Sequence, residues 1–121
     1  MIRTLLVDDH VGMRQVIRHL LERDRDIKVV GEARDGEQAL RLVETLAPDV
    51  VVLDVIMSVM DGFKVLKAMR ARPKVPKVVM FSMNDSAALA ERALAEGASA
   101  FVPKRLAFTR LVEAVREAAG A

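Results

Sequence analysis

With 121 residues the chain holds one globular domain rather than two, and its 19 Lys and Arg against 17 Asp and Glu leave a formal charge of only +2. Aromatic residues make up 3%, with no basic run interleaved among them, which argues against direct binding of nucleic acid by this chain. The absence of cysteine removes disulfides, thiolate metal sites and cysteine nucleophiles together.

The chain opens directly on an apolar run, Ile2–Val7, that reads as a strand. No charged leader precedes it and no stretch approaches ~20 apolar residues, so a soluble, cytoplasmic domain with no membrane contact is expected. Helix-period spacing follows in Met13, Val16, Ile17, Leu20 and Leu21. A second strand is predicted over Ile27–Ala33 and a second helix from Ala39, Leu40, Val43 and Leu46. The apolar run 50–53 gives a third strand, and Val65, Leu66 and Met69 a third helix. Strands at 77–81 and 100–102 alternate with helices marked by Leu89, Ala93 and Leu94 and by Phe108, Leu111, Val112 and Val115. Pro48, Pro73 and Pro76 fall between elements, Gly97 stands where a helix C-terminal glycine belongs, and Ser86 and Thr109 lie near helix starts. Strands rich in Val, Ile and Leu that alternate with helices specify an α/β fold with one parallel sheet covered on both faces. No repeat, low-complexity tract or linker divides residues 1–121, which read as one domain with any effector domain outside them.

Polar residues that are odd in so apolar a chain fall at one kind of place. Asp8 and Asp9 follow the first strand, Asp54 the third, Ser82 the fourth and Lys104 lies just past the fifth. Open α/β sheets bind ligands beyond the carboxyl ends of their strands, and in the doubly wound order 2-1-3-4-5 the switch point lies between strands 1 and 3. The three aspartates converge there on this reading. Carboxylates held close together repel one another, which raises their pKa values or demands a cation. Mg²⁺ answers that demand with an oxygen shell that leaves room for a phosphoryl oxygen. Asp54 can then act as a carboxylate nucleophile, with Lys104 as a point charge and Ser82 as a hydroxyl donor around the transferred group.

These residues and their order resemble the receiver domains of two-component response regulators, over essentially the whole chain. LLVDDH (residues 5–10) is similar to the family's acidic-pair strand end, VVLDVIMSVMDG (51–62) to its phosphoacceptor segment, MFSM (80–83) to its hydroxyl position and AFVPK (100–104) to its aromatic and lysine segment. The resemblance implies a CheY-like, flavodoxin-like (βα)5 fold and a phosphoacceptor switch rather than an enzyme in its own right. It implies that Asp9, Asp54 and the Ile56 carbonyl bind Mg²⁺ directly and that Asp8 acts through a water. It also implies that Ser82 and Lys104 contact the phosphoryl group and that Ser82 and Phe101 form the switch. Output is then expected on the face built from the fourth helix, fifth strand and fifth helix. The partners it implies are a sensor histidine kinase or phosphotransfer protein and an output partner or separate effector domain, with homodimerisation on phosphorylation as a further option. Two departures stand out: Ser58 replaces a usual proline, loosening that loop, and Pro103 precedes Lys104 while Arg105 follows it. That variant and the DDH sequence look like the LuxR-type subgroup, whose effector is often a helix-turn-helix. The resemblance also implies a cis bond between Lys104 and Arg105.

Each residue also has an ordinary structural reading. An aspartate after a strand is commonly a turn or cap residue, Lys104 a solvated lysine, Ser82 a strand-end hydroxyl and Phe101 packing, while His10, which beside two acids suggests a metal ligand, reads better as a helix-start residue. Only their joint placement favours the site. The seven methionines read as gap-fillers, and the Arg14, Arg18, Arg23 stripe as a solvated face, with docking to a kinase as its other reading. Two other functions fit the residues less well. A phosphatase with an aspartyl nucleophile is disfavoured because Ile56 stands where such enzymes carry a second aspartate. A receiver-shaped module working without phosphorylation is disfavoured by the complete set of acids, Ser82 and Lys104. A dinucleotide or P-loop site is excluded by the lack of a glycine-rich fingerprint after the first strand.

Overall fold

The computed structural model describes residues 1–57, 60–84 and 86–120; Ser58, on which the loop expectation falls, lies outside them. Strand β1 spans Ile2–Val7, helix α1 Val11–Glu22, β2 Ile27–Ala33, α2 Gly36–Leu46, β3 Val50–Asp54 and α3 Gly62–Arg70. Then come β4 at Lys77–Ser82, α4 at Ala87–Ala95, β5 at Ala100–Pro103, a 3-10 turn at Lys104–Leu106 and α5 at Ala107–Ala118. All pairings are parallel and the order is β2-β1-β3-β4-β5, as expected for a doubly wound sheet.

Strands β3, β4 and β5 each run one residue further than their apolar runs, taking in Asp54, Ser82 and Pro103. Ladder pairing depends on the backbone, so a polar side chain at the strand end does not stop it: Asp54 pairs with Phe81 and Ser82 with Pro103.

Each face of the sheet carries its own core. Leu6, Val52, Val79 and Phe81 pack with Ile17 and Leu21 of α1 and Leu111 and Val115 of α5. Leu5, Val7, Leu53 and Met80 pack with Val43 of α2, Val65, Leu66 and Met69 of α3 and Ala93 of α4. This explains why the strands read as continuous apolar runs instead of alternating ones. Three apolar residues assigned to helical stripes face solvent instead: Val16, Leu94 and Phe108 are exposed. On α5 the buried set is Ala107, Leu111, Ala114 and Val115, which leaves Phe108 just outside that face.

Local signals fix the helix ends. Asp35, Asp61 and Ser86 cap α2, α3 and α4 by accepting hydrogen bonds from the amides of Gln38, Lys64 and Leu89. Thr109 lies inside α5 and its hydroxyl donates to the Leu106 carbonyl, so it is not a cap. Gly97 follows α4 with φ of 107°, as the sequence suggests, whereas α2 ends on Ala47 in the left-handed region, directly before Pro48. The expected cis bond is corrected: the described residues contain no cis peptide, and Lys104 and Arg105 enter a 3-10 turn. No helix among the described residues is long and apolar enough to cross a membrane.

Candidate functional site

The carboxyl ends of β1 and β3 lie side by side, with Val7 opposite Leu53, so the residues that follow them meet. Asp8 and Asp54 are both almost fully buried, at 1% and 2% exposure. Lys104, reaching in from the turn after β5, places Nζ 3.1 Å from Asp8 Oδ2 and 3.2 Å from Asp54 Oδ2. Its side chain is itself only 6% exposed and its ammonium lies 4.8 Å from the centre of the Phe81 ring. A lysine so enclosed is a fixed counter-charge rather than a surface residue.

The other oxygen of Asp54 accepts from the Ile56 amide at 3.1 Å. That turn depends on Gly62, whose amide donates to the Val55 carbonyl at 2.7 Å. A Cβ at Gly62 would stand 2.3 Å from the Asp54 carbonyl oxygen and 2.8 Å from Val55 Cα, so the start of α3 can lie against the end of β3 only because no side chain intervenes.

Burial is the largest influence on Asp54 and pushes its pKa up to about 6; Asp8 pushes the same way, while Lys104 and the Ile56 amide pull it down. Repulsion among the acids, the reason expected from the sequence, is real but smaller than desolvation. At pH 7 the carboxylate is largely ionised and poorly hydrated, the condition of an available nucleophile.

Asp9 extends the acidic set, and His10 joins it. As predicted, His10 is the N-cap residue of α1, yet its side chain makes no capping bond. Its amide donates to Asp8 Oδ1 at 2.9 Å, and its Nδ1 lies 3.2 Å from that oxygen and 3.0 Å from Asp9 Oδ1. One ligand atom from each of Asp8, Asp9, His10 and Asp54 can be chosen so that all lie within 4.8 Å of one another. The pocket sets three carboxyl groups against one Lys104 ammonium, and apart from the His10 nitrogen its donors are hard oxygens. A divalent cation of the Mg²⁺ type fits both the charge and the donor set.

Ser82 is fully buried at the end of β4, one residue beyond the partner of Asp54, and its Oγ accepts from the Asn84 amide at 3.1 Å. Its hydroxyl proton remains a donor. Phe101 is partly buried on β5, paired with Met80, and packs against the core on the α3 and α4 side. Sequence reasoning missed Arg14. Rather than belonging to a solvated stripe, it donates from Nη1 to the Asp8 carbonyl at 2.6 Å and from Nε to Glu32 at 3.1 Å, tying the acidic strand end to β2. Arg18 donates to the same Glu32 at 2.9 Å. The helical spacing of Arg14 and Arg18 was visible, but the partner on β2 was not. A cleft of about 670 Å³, with Pro48, Val75, Pro76 and Ala118 among its lining, opens at the amino end of the sheet and contains none of the predicted site residues.

Comparison with known proteins identifies the fold and its family. Residues 4–116 match the family model described as the response regulator receiver domain. A protein-glutamate methylesterase/protein-glutamine glutaminase of Pseudoalteromonas atlantica is 41% identical over 104 residues, covering 85% of this chain and 27% of that protein. One from Myxococcus xanthus is 42% identical over 130 residues, covering 99% of this chain and 37% of that protein. The chain thus spans roughly a third of the curated relatives it matches. Among solved structures, the signal receiver domain of the putative response regulator NarL from Mycobacterium tuberculosis superposes with a TM-score of 0.91 at 36% identity, covering 99% of this chain and 97% of that one. The response regulator domain of Thermotoga maritima CheB gives 0.89 at 32% identity, covering 100% and 98%. A LuxR-family regulator from Aurantimonas gives 0.94 at 32%, covering 99% and 86%.

Proposed function

The chain belongs to the response regulator receiver domain family, and from that premise we propose that Asp54 is the phosphoacceptor of a signalling switch charged by a histidine kinase or a phosphotransfer protein. The observation that carries this reading is the state of Asp54: a buried carboxylate at the end of the central strand, raised to about pKa 6 and held between the Lys104 ammonium and the Ile56 amide. In the transfer, an Asp54 oxygen forms a bond to phosphorus as the donor's bond to phosphorus breaks and the leaving group departs with those electrons. Lys104 neutralises charge on the transferred group and the Ser82 hydroxyl donates to it. Asp9, Asp54 and the Ile56 carbonyl would hold Mg²⁺, with Asp8 beside them, and the ion would supply charge neutralisation there.

The phosphorylated state is read on the face formed by α4, β5 and α5. Ser82, drawn toward the phosphoryl oxygens, shifts the packing next to Phe101 and biases a population of states that exists already. Output passes to an effector domain or a separate partner. The relatives name two kinds, the methylesterases and the LuxR-family regulators, one of the latter described as DNA-binding. A receiver is a phosphoacceptor and not itself a methylesterase, so any such activity belongs to the partner.

The test is intact-mass measurement after incubation with acetyl phosphate and Mg²⁺. Wild type gains one phosphoryl group and releases acetate, and Asp54→Asn gains none. Equal labelling of the variant refutes the assignment of Asp54, and absence of labelling in wild type under excess donor refutes the phosphoacceptor reading.

A further inference from the structure

Charge is spread unevenly along the chain. Residues 62–83 carry six of the 19 Lys and Arg and none of the 17 Asp and Glu, so the remainder of the protein is net acidic. Five of the six, Lys64, Lys67, Arg70, Lys74 and Lys77, are exposed. Lys64, Lys67 and Arg70 follow one another at a spacing of three along α3, which sets them on one side of the helix, where like charges repel. Arg72 pairs with Glu44 of α2 at 3.2 Å, and Arg70 Nη1 lies 3.4 Å from the Gly97 carbonyl. The four lysines have no ion pair among the described residues. Past the end of α3 the row enters the cleft of about 670 Å³ at the amino end of the sheet, whose lining includes Arg72, Lys74 and Lys77. The apolar part of that lining comes from Val43 of α2, Pro48, Pro76 and the exposed Met1 and Val75. Its size lies within the range of about 300–1,000 Å³ typical of ligand sites.

We propose that the outer side of α3 and the cleft at its end form a docking surface for an acidic polypeptide segment that carries large apolar side chains. An acid-free row of cations joined to an apolar cleft has that segment as its chemical complement. The lysines steer and hold carboxylates, and the cleft removes apolar side chains from water. A nucleic acid fits less well, because the lining of the cleft holds no aromatic side chain for stacking, and Glu44 and Asp49 in the same lining oppose a dense row of phosphates. None of the six cations belongs to the acidic pocket or to α4, β5 or α5, so the surface stands independently of the phosphoacceptor reading.

The probe is a fluorescein-labelled peptide of about 12 residues alternating Glu and Leu, long enough at about 3.3 Å per extended residue to run along α3 into the cleft. Fluorescence anisotropy measures its binding. Wild type should bind it, and Lys64→Glu/Lys67→Glu and Lys74→Glu/Lys77→Glu should each weaken binding by about tenfold. Arg25→Glu/Lys28→Glu makes the same change in net charge at exposed positions around the start of β2 and should alter binding by less than about twofold. A peptide with Ser in place of Leu should bind wild type about fivefold more weakly, since the cleft then buries no apolar side chain. All of these variants change exposed side chains only, and melting curves check that each is folded. Absence of binding by wild type overturns the proposal, and so does equal weakening by Arg25→Glu/Lys28→Glu, which would reduce the attraction to net charge. Equal binding of the Leu and Ser peptides removes the cleft from the surface and overturns it as stated. Tighter binding of a thymidine oligonucleotide or of phosphatidylglycerol vesicles than of the Leu peptide overturns the assignment to a polypeptide.

Discussion

The two ends of the sheet use the same residue types in opposite ways. At the amino end, Asp49 and Arg3 are joined through backbone: the Arg3 amide donates to Asp49 Oδ2 at 2.8 Å and the Asp49 amide to the Arg3 carbonyl at 2.8 Å. The Arg3 guanidinium reaches the carbonyls of Leu46 and Ala47, at 2.7 and 3.3 Å, where α2 runs out of partners for them. Each charge there meets peptide groups near solvent, and the arrangement stabilises the fold. At the carboxyl end Asp8 and Asp54 are sunk among apolar strands and share one lysine. Desolvation outweighs attraction at Asp54, as its upward shift shows. The fold therefore carries an electrostatic cost at the end where a ligand can repay it, and the opposite end has none to repay.

Replacing the shared lysine tests this contrast most severely. Lys104→Met leaves Asp8 and Asp54 buried together without a counter-charge, and should destabilise the metal-free protein by about 3 kcal/mol at pH 8. The loss should shrink at pH 5, where Asp54 is protonated, and urea denaturation at the two pH values measures the difference. A loss that is the same at both would mean that Lys104 acts by packing alone.

Asp54→Asn should have the opposite sign. The unfolded carboxyl ionises near 3.8 and the folded one only near 6, so the metal-free wild type loses stability as the pH rises from about 4 to about 6 and then levels off. Asparagine carries no such penalty. Its advantage should be about 1–3 kcal/mol at pH 7 and close to zero at pH 4, read from melting curves across that range. Added Mg²⁺ should stabilise wild type by mass action and narrow the gap. A flat difference across pH contradicts burial as the source of the shift.

The smallest expected effect lies at the other end. Asp49→Ala removes the acceptor of the Arg3 amide and should cost about 1 kcal/mol in denaturant titration, while leaving metal binding at the acidic pocket unchanged. Altered metal binding in that variant would join two regions that are separated here.

The fold was legible in the sequence because a sheet covered on both faces demands long apolar runs, and those runs name their own strands. The members of the site were legible for the complementary reason: Asp8, Asp54 and Ser82 are polar where burial is severe. What escaped depended on approach between distant elements. No local pattern says that Arg14 grips the Asp8 carbonyl and Glu32, or that Gly62 must lie against the Asp54 backbone. The exposure of Leu94 and Phe108 escaped as well, since a helical stripe gives the period of the buried face but not its edges.

The position of Lys104 has a consequence in time. Ninety-six residues separate it from Asp8 and fifty from Asp54, so the ammonium is among the last parts of the site to be synthesised. At ribosomal rates of about 5–20 residues per second, roughly 5 to 20 seconds pass between the first acid and its counter-charge. Once Asp54 has been made, the nascent chain carries all three aspartates of the pocket, yet for the next fifty residues it lacks β5 and the turn that delivers the lysine. The acidic pocket thus gains its counter-charge only with the closing strand, and a half-made chain holds these acids without their lysine.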